Sequence, residues 1–88
     1  MTQIDKLIQV ALKNPQNLRF SELCKLCEFF GMEKRKSEGS HVIYKRKTEP
    51  RFALSIQKDN NGKAKPYQVN ELIDKIKEYD LFDFEGEK

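Results

Sequence analysis

Seven residues, Arg51 to Gln57, alternate cleanly: Phe52, Leu54 and Ile56 fall to one side, and Ala53, Ser55 and Gln57 to the other. Side chains of an extended chain point alternately to opposite faces, so the stretch reads as a strand with one buried and one wet face. A strand of that kind belongs to an antiparallel sheet covered on one side only. The rest of the chain must therefore supply partner strands and one covering layer. His41 to Lys47 is the nearest partner, with Val42, Ile43 and Tyr44 giving high β-propensity, and Thr48-Glu49-Pro50 turns the chain between the two. Met32 to Lys36 is a weaker, charged third strand. The turn before His41 is expected at Ser37-Glu38-Gly39-Ser40, where Gly39 can take the positive φ that other residues resist.

Helical spacing on both sides supplies the cover. Ser21 is the expected N-cap of a helix in which Leu23, Leu26, Cys27 and Phe30 recur at i, i+3, i+4 and i+7, and Gly31 is placed to close it. Pro66 suits the first position of a last helix, whose stripe is Val69, Leu72, Ile73 and Ile76 and which ends near Tyr79. Thr2 is the expected cap of an earlier helix to about Lys13, with Ile4, Leu7, Ile8 and Ala11 on one face, broken by Asn14-Pro15-Gln16-Asn17. Leu81 and Phe82 are expected to fold back on the core, within a loose tail over 80–88. The order is helix, helix, three strands, helix. It predicts a single α+β domain over 1–88, with helices on one face of a three-stranded antiparallel sheet and the other face open. Within it, 1–17 form an additional N-terminal helical segment.

With 88 residues, 38% of them hydrophobic and 35% charged, the chain suits one modest core under a heavily solvated surface. No apolar run approaches the roughly 20 residues of a membrane span, and the first residues lack the pattern of a secretory signal. A cytoplasmic protein without a membrane partner is the expectation. Cys24 and Cys27 form a lone C-x-x-C inside a helical pattern. Zinc would want four ligands, and one histidine and no further cysteine remain, so the pair reads as packed thiols and no metal site is expected.

The charge is unevenly placed. Residues 32–66 hold ten Lys/Arg against four acids, a net +6, while the remainder holds seven against ten, a net −3. A basic middle segment suggests a polyanionic partner. Within it lies the protein's one histidine, His41, just after the glycine turn and ahead of Lys45-Arg46-Lys47. An unperturbed imidazole titrates near pH 6.5, which suits proton transfer at neutral pH. RNA carries its own nucleophile, the ribose 2′-hydroxyl. A proton-transfer group beside phosphate-binding cations is therefore what metal-free RNA cleavage needs, with His41 as general base or general acid. Ser40 is a candidate donor to a phosphate oxygen, and Lys36, Lys45, Arg46 and Lys47 are candidates for backbone contacts. Alternation puts His41, Ile43 and Lys45 on one side of their strand and Val42, Tyr44 and Arg46 on the other, with Arg46 reaching round the edge. Tyr44 and Phe52 read as core.

Taken together, the Ser21–Gly31 helix, the charged strand, Gly39-Ser40-His41-Val42-Ile43-Tyr44-Lys45, the alternating strand, and Lys65-Pro66 opening a final helix resemble the HicA (YcfA-like) family of toxin mRNA interferases. The resemblance spans roughly Phe20 to Tyr79. It implies a double-stranded-RNA-binding-like α-β-β-β-α fold and a cofactor-free endoribonuclease acting on mRNA, held inactive by a HicB-type antitoxin. His41 stands where the family has its catalytic histidine, and Gly39 and Ser40 where it has the presenting turn. Many members carry a second histidine where this chain has Val42, and the helix before Asn14 precedes the family's usual start. Two other readings of the same residues stay open: an RNA-binding module that does not cleave, and a domain whose basic face recognises an acidic protein.

Overall fold

The structure, a computed structural model, describes residues 3–39 and 41–82. Helix α1 (Gln3–Lys13) is followed by a single 3-10 turn, Pro15–Asn17, then by α2 (Phe20–Phe29). Strands β1 (Met32–Glu38), β2 (His41–Arg46) and β3 (Ala53–Gln57) come next, and α3 (Pro66–Glu78) closes the chain. The strands form one antiparallel sheet in the order β1-β2-β3, so β2 is central. This is the expected α+β arrangement, α-β-β-β-α with an N-terminal helix ahead of it.

The core explains the layering. Met32, Tyr44, Leu54 and Ile56 come from the sheet, and they are buried with Leu23, Leu26 and Cys27 of α2 and Val69, Leu72, Ile73 and Ile76 of α3. Helix α2 packs on β1 and α3 on β3, while α1 lies against α2 and α3, burying Leu7, Ile8 and Ala11. Leu81 and Phe82 pack against this core, and the Phe82 ring meets the edge of Phe30 at 6.4 Å. The expected cap at Thr2 and the tail beyond Phe82 lie outside the described residues.

Three boundaries differ from the sequence expectation. Helix α2 begins at Phe20 with Arg19 as its N-cap, not with Ser21 in that place. The Arg19 N–H donates to Glu22 Oε1 at 2.9 Å, so the glutamate supplies the cap that a serine hydroxyl would otherwise give. Strand β1 runs on through Ser37 and Glu38, and Glu38 pairs with His41, leaving a two-residue connection at Gly39-Ser40. A four-residue turn is not needed, because Gly39 adopts φ +57. β3 starts at Ala53 rather than Arg51. Strand β1 also carries a bulge. Between Lys34 (opposite Tyr44) and Lys36 (opposite Ile43) the register shifts, leaving Arg35 as the additional residue.

The segment between β3 and α3 is a structured edge. Lys58 bridges to Ala64, Ala64 N–H donates to Leu18 O at 2.9 Å, and Phe20 N–H donates to Gly62 O at 3.1 Å. Asp59 Oδ1 accepts the N–H groups of Lys63 and Asn61, both at 2.8 Å. Those bonds hold the Asp59 carboxyl below the usual carboxylate range. Gln68, buried at the start of α3, accepts the Gln57 N–H at 2.8 Å through Oε1 and so fastens α3 to the outer edge of β3.

Gly31 ends α2 at φ +82, and a Cβ there would stand 3.3 Å from Arg46 Nη1; Gly39 has a similar φ but open space around it. A left-handed residue with a Cβ costs about 1–2 kcal/mol. Gly31→Ala should therefore lose more stability in urea unfolding than Gly39→Ala. Equal losses would contradict the close approach of Arg46 to the helix end.

Candidate active site

The register of β2 decides which side chains share the uncovered face. Tyr44 and Val42 are opposite Leu54 and Ile56 on the core side. His41, Ile43 and Lys45 are therefore opposite Gln57, Ser55 and Ala53 on the other. His41 is exposed at the first position of the central strand, flanked in register by Glu38 of β1 and Gln57 of β3. Lys45 is exposed on the same face, four residues along, or roughly 13 Å at the usual rise of a strand.

Lys45 opens onto a cleft of about 570 Å³ at the far end of the sheet, lined by Arg35, Lys45, Arg46, Lys47, Arg51, Phe52 and Ala53. Five of its seven residues are cations. Lys47 Nζ lies 3.3 Å from Glu33 Oε1 and Arg51 Nε 3.4 Å from Glu49 Oε2, both exposed pairs. Exposed pairs of this kind contribute about 0–1 kcal/mol and yield readily to a polyanion. Lys36 stands opposite Ile43 in β1, close to the histidine end. Gly39 is the left-handed residue of the connection before His41, and Ser40 lies outside the described residues.

Arg46 sits differently from the position expected for it. Its guanidinium does not reach round the edge to the open face but turns into the helix side. Nη1 donates to Phe30 O at the end of α2, Nε to Pro50 O at 2.8 Å and Nη2 to Thr48 Oγ1 at 3.4 Å. It also lies over the Phe52 ring, 5.9 Å from the centroid, and that ring is stacked on Tyr79 at 5.7 Å. Carbonyls at a helix C-terminus lack intrahelical donors and attract a cation. The guanidinium fork answers one such carbonyl, Phe30 O, together with Pro50 O and the Thr48 hydroxyl in the turn before β3.

Tyr44 is core, as expected, with its hydroxyl donating to Glu28 Oε2 at 3.2 Å. Burial, then the neighbouring Cys24 and Glu28, hold its phenol well above the ordinary range, so it takes no part in proton transfer at neutral pH. Cys27 is buried and free, its thiol pushed up to about 12 by burial, and half-buried Cys24 is raised as well, again chiefly by burial. Both are packed thiols, as their helical spacing suggested. Among the described residues no group of three or more His, Cys, Asp and Glu side chains is gathered to hold a metal ion. No helix among them is long and apolar enough to cross a membrane.

Three features escaped the sequence reading. Arg35 and Arg51 join the cationic cleft, Arg35 through the bulge and Arg51 through the turn before β3. Lys65, noted earlier only as the residue before Pro66, donates through Nζ to Gln57 Oε1 at 2.9 Å, beside the register position of His41. A second cleft, of about 540 Å³, lies between the start of α2 and the β3–α3 segment, with Arg19, Lys58 and Lys63 among its lining residues.

A small α+β domain of this topology, with a histidine at the head of the central strand and cations along the same uncovered face, defines a compact class of protein. The model of the HicA toxin of bacterial toxin–antitoxin systems matches residues 20–78, about two thirds of the chain. The chain belongs to the HicA toxin family, and membership implies an antitoxin partner. Neither the curated proteins nor the solved structures contain a significant match. Helix α1 lies outside the matched span.

Since Arg46 is tied to the helix end, Arg46→Lys should cost about 1–3 kcal/mol in chemical denaturation, because one ammonium cannot replace a three-point fork. Lys45→Ala should stay within about 0.5 kcal/mol. Similar small effects for both would contradict a structural role for Arg46.

Proposed function

We propose that this toxin is a metal-independent endoribonuclease that cleaves mRNA in the cytoplasm, with His41 as its general acid or base, and that a HicB-type antitoxin inhibits it by covering the open sheet face. The observation that carries the reading is the exposed His41 at the head of the central strand, on the face that no helix covers and that the basic cleft shares. Family membership supports the toxin assignment.

The chemistry follows from RNA itself. The 2′-oxygen loses its proton and attacks the adjacent phosphorus, the bond to the 5′-oxygen breaks, and that oxygen takes up a proton. An imidazole serves either transfer, and a positioned acid or base contributes about 10²–10⁴-fold. The cations supply what the imidazole cannot, namely a hold on the strand and relief of charge on the phosphate. Lys45 and Lys47 line the cleft and face solvent, roughly 13 and 20 Å along the strand from the histidine, so they hold phosphates further along the RNA than the scissile one. Lys36, Gly39 and Ser40 are the proposed contacts to the RNA backbone beside His41. Arg46 serves the same surface indirectly, by fixing the wall of the cleft from below.

Purified protein should degrade RNA in EDTA, and His41→Ala should lower the rate by about 10²-fold or more while RNA affinity and thermal unfolding stay near wild type. Unchanged cleavage in the variant would remove His41 from the mechanism. Salt-dependent binding with no cleavage by the wild type would leave an RNA-binding module instead.

A further inference from the structure

The cleft cations stand at the far end of the sheet, and Lys36 lies in β1 on one side of the His41 end, so the β3 side is where a further cation would meet the scissile phosphate. The open face ends at β3, an edge strand, and the chain returns to that edge at Lys65. Its ammonium donates to Gln57 Oε1 at 2.9 Å. Gln57 is the direct register partner of His41 on the uncovered face. Opposed residues of an antiparallel pair have Cβ atoms about 4.5–5.5 Å apart, so the ammonium is held one side chain away from the imidazole.

We propose that Lys65 is a second catalytic residue of the ribonuclease site, a cation that contacts a non-bridging oxygen of the phosphate at which His41 acts, with Gln57 as its positioning residue. The inference rests on the nuclease reading and deepens it. As the 2′-oxygen bonds to phosphorus and before the 5′-oxygen departs, negative charge builds on the non-bridging oxygens. A donor already in place there stabilises the transition state more than the ground state. Two features hold Lys65 in place. Its backbone is the N-cap of α3, its carbonyl accepting from Gln68 at 2.9 Å and Val69 at 3.2 Å. Pro66 then fixes the first helical residue, and buried Gln68 clamps the Gln57 backbone at 2.8 Å. Asp59 feels the charge of Lys65, but its Oδ1 accepts the Lys63 and Asn61 N–H groups, which hold the carboxylate to its own turn.

The test uses the full chain and an RNA oligonucleotide in single-turnover conditions at saturating protein. Lys65→Met should slow cleavage about 10²-fold, Lys65→Arg should restore most of the rate, and both should melt near wild type. Gln57→Glu keeps the acceptor but neutralises the ammonium, so it should retain stability and lose rate. If wild type cuts and Lys65→Met or Gln57→Glu cuts equally fast, this inference fails while the nuclease reading stands. Slow cleavage in Lys65→Met and Lys65→Arg alike, with lowered melting in both, would make Lys65 a structural clamp and overturn it too. No cleavage by the wild type would sink the nuclease reading itself, and this inference with it.

Discussion

The side chains that the sheet buries determine the ones it displays. Tyr44, Leu54 and Ile56 are driven against α2 and α3 by the removal of apolar surface from water, at about 25 cal/mol per Å². Because side chains alternate along a strand, the same burial sends His41, Ile43 and Lys45 to the opposite face. A slip of one residue would bury an imidazole and an ammonium and expose a tyrosine, so the register is strongly fixed. The functional face is thus specified by residues that never touch it.

Arg46 and Lys45 show how neighbouring cations divide their work under that rule. They are adjacent in sequence, yet one is bound to the end of α2 and to the turn before β3, while the other faces solvent on the open side. The guanidinium joins α2, β2 and the chain leading to β3, with Phe52 and Tyr79 stacked beneath. Charge counting along the sequence would give both residues to a polyanion. The structure gives one to the fold and leaves the other facing solvent.

Much of this was legible in the chain. The alternation of Phe52, Leu54 and Ile56 identified β3, the glycine at 31 marked a helix end, and Lys65-Pro66 marked a helix start. The pairing of His41 with Lys45 on one face followed from period two alone. Other features depend on contacts between distant segments, which no local pattern carries. The cap of α2 comes from Glu22 rather than Ser21, and the bulge at Arg35 has no compositional mark. The approach of Lys65 to Gln57 requires α3 to return to the edge of β3, a tertiary event. Arg46 could have been suspected, since it alternates with Val42 and Tyr44, but its acceptors at Phe30 and Pro50 appear only once the helix is packed.

In the proposed cleavage the ribose 2′-hydroxyl is the nucleophile, and His41 handles its proton or that of the leaving oxygen. The chemical ends of the cut RNA test this most directly, by mass spectrometry of an oligonucleotide digested in EDTA. Attack by the 2′-oxygen predicts fragments ending in a 2′,3′-cyclic phosphate and beginning with a 5′-hydroxyl. Fragments with 3′-hydroxyl and 5′-phosphate ends would mean that water is the nucleophile, and would contradict attack by the 2′-oxygen.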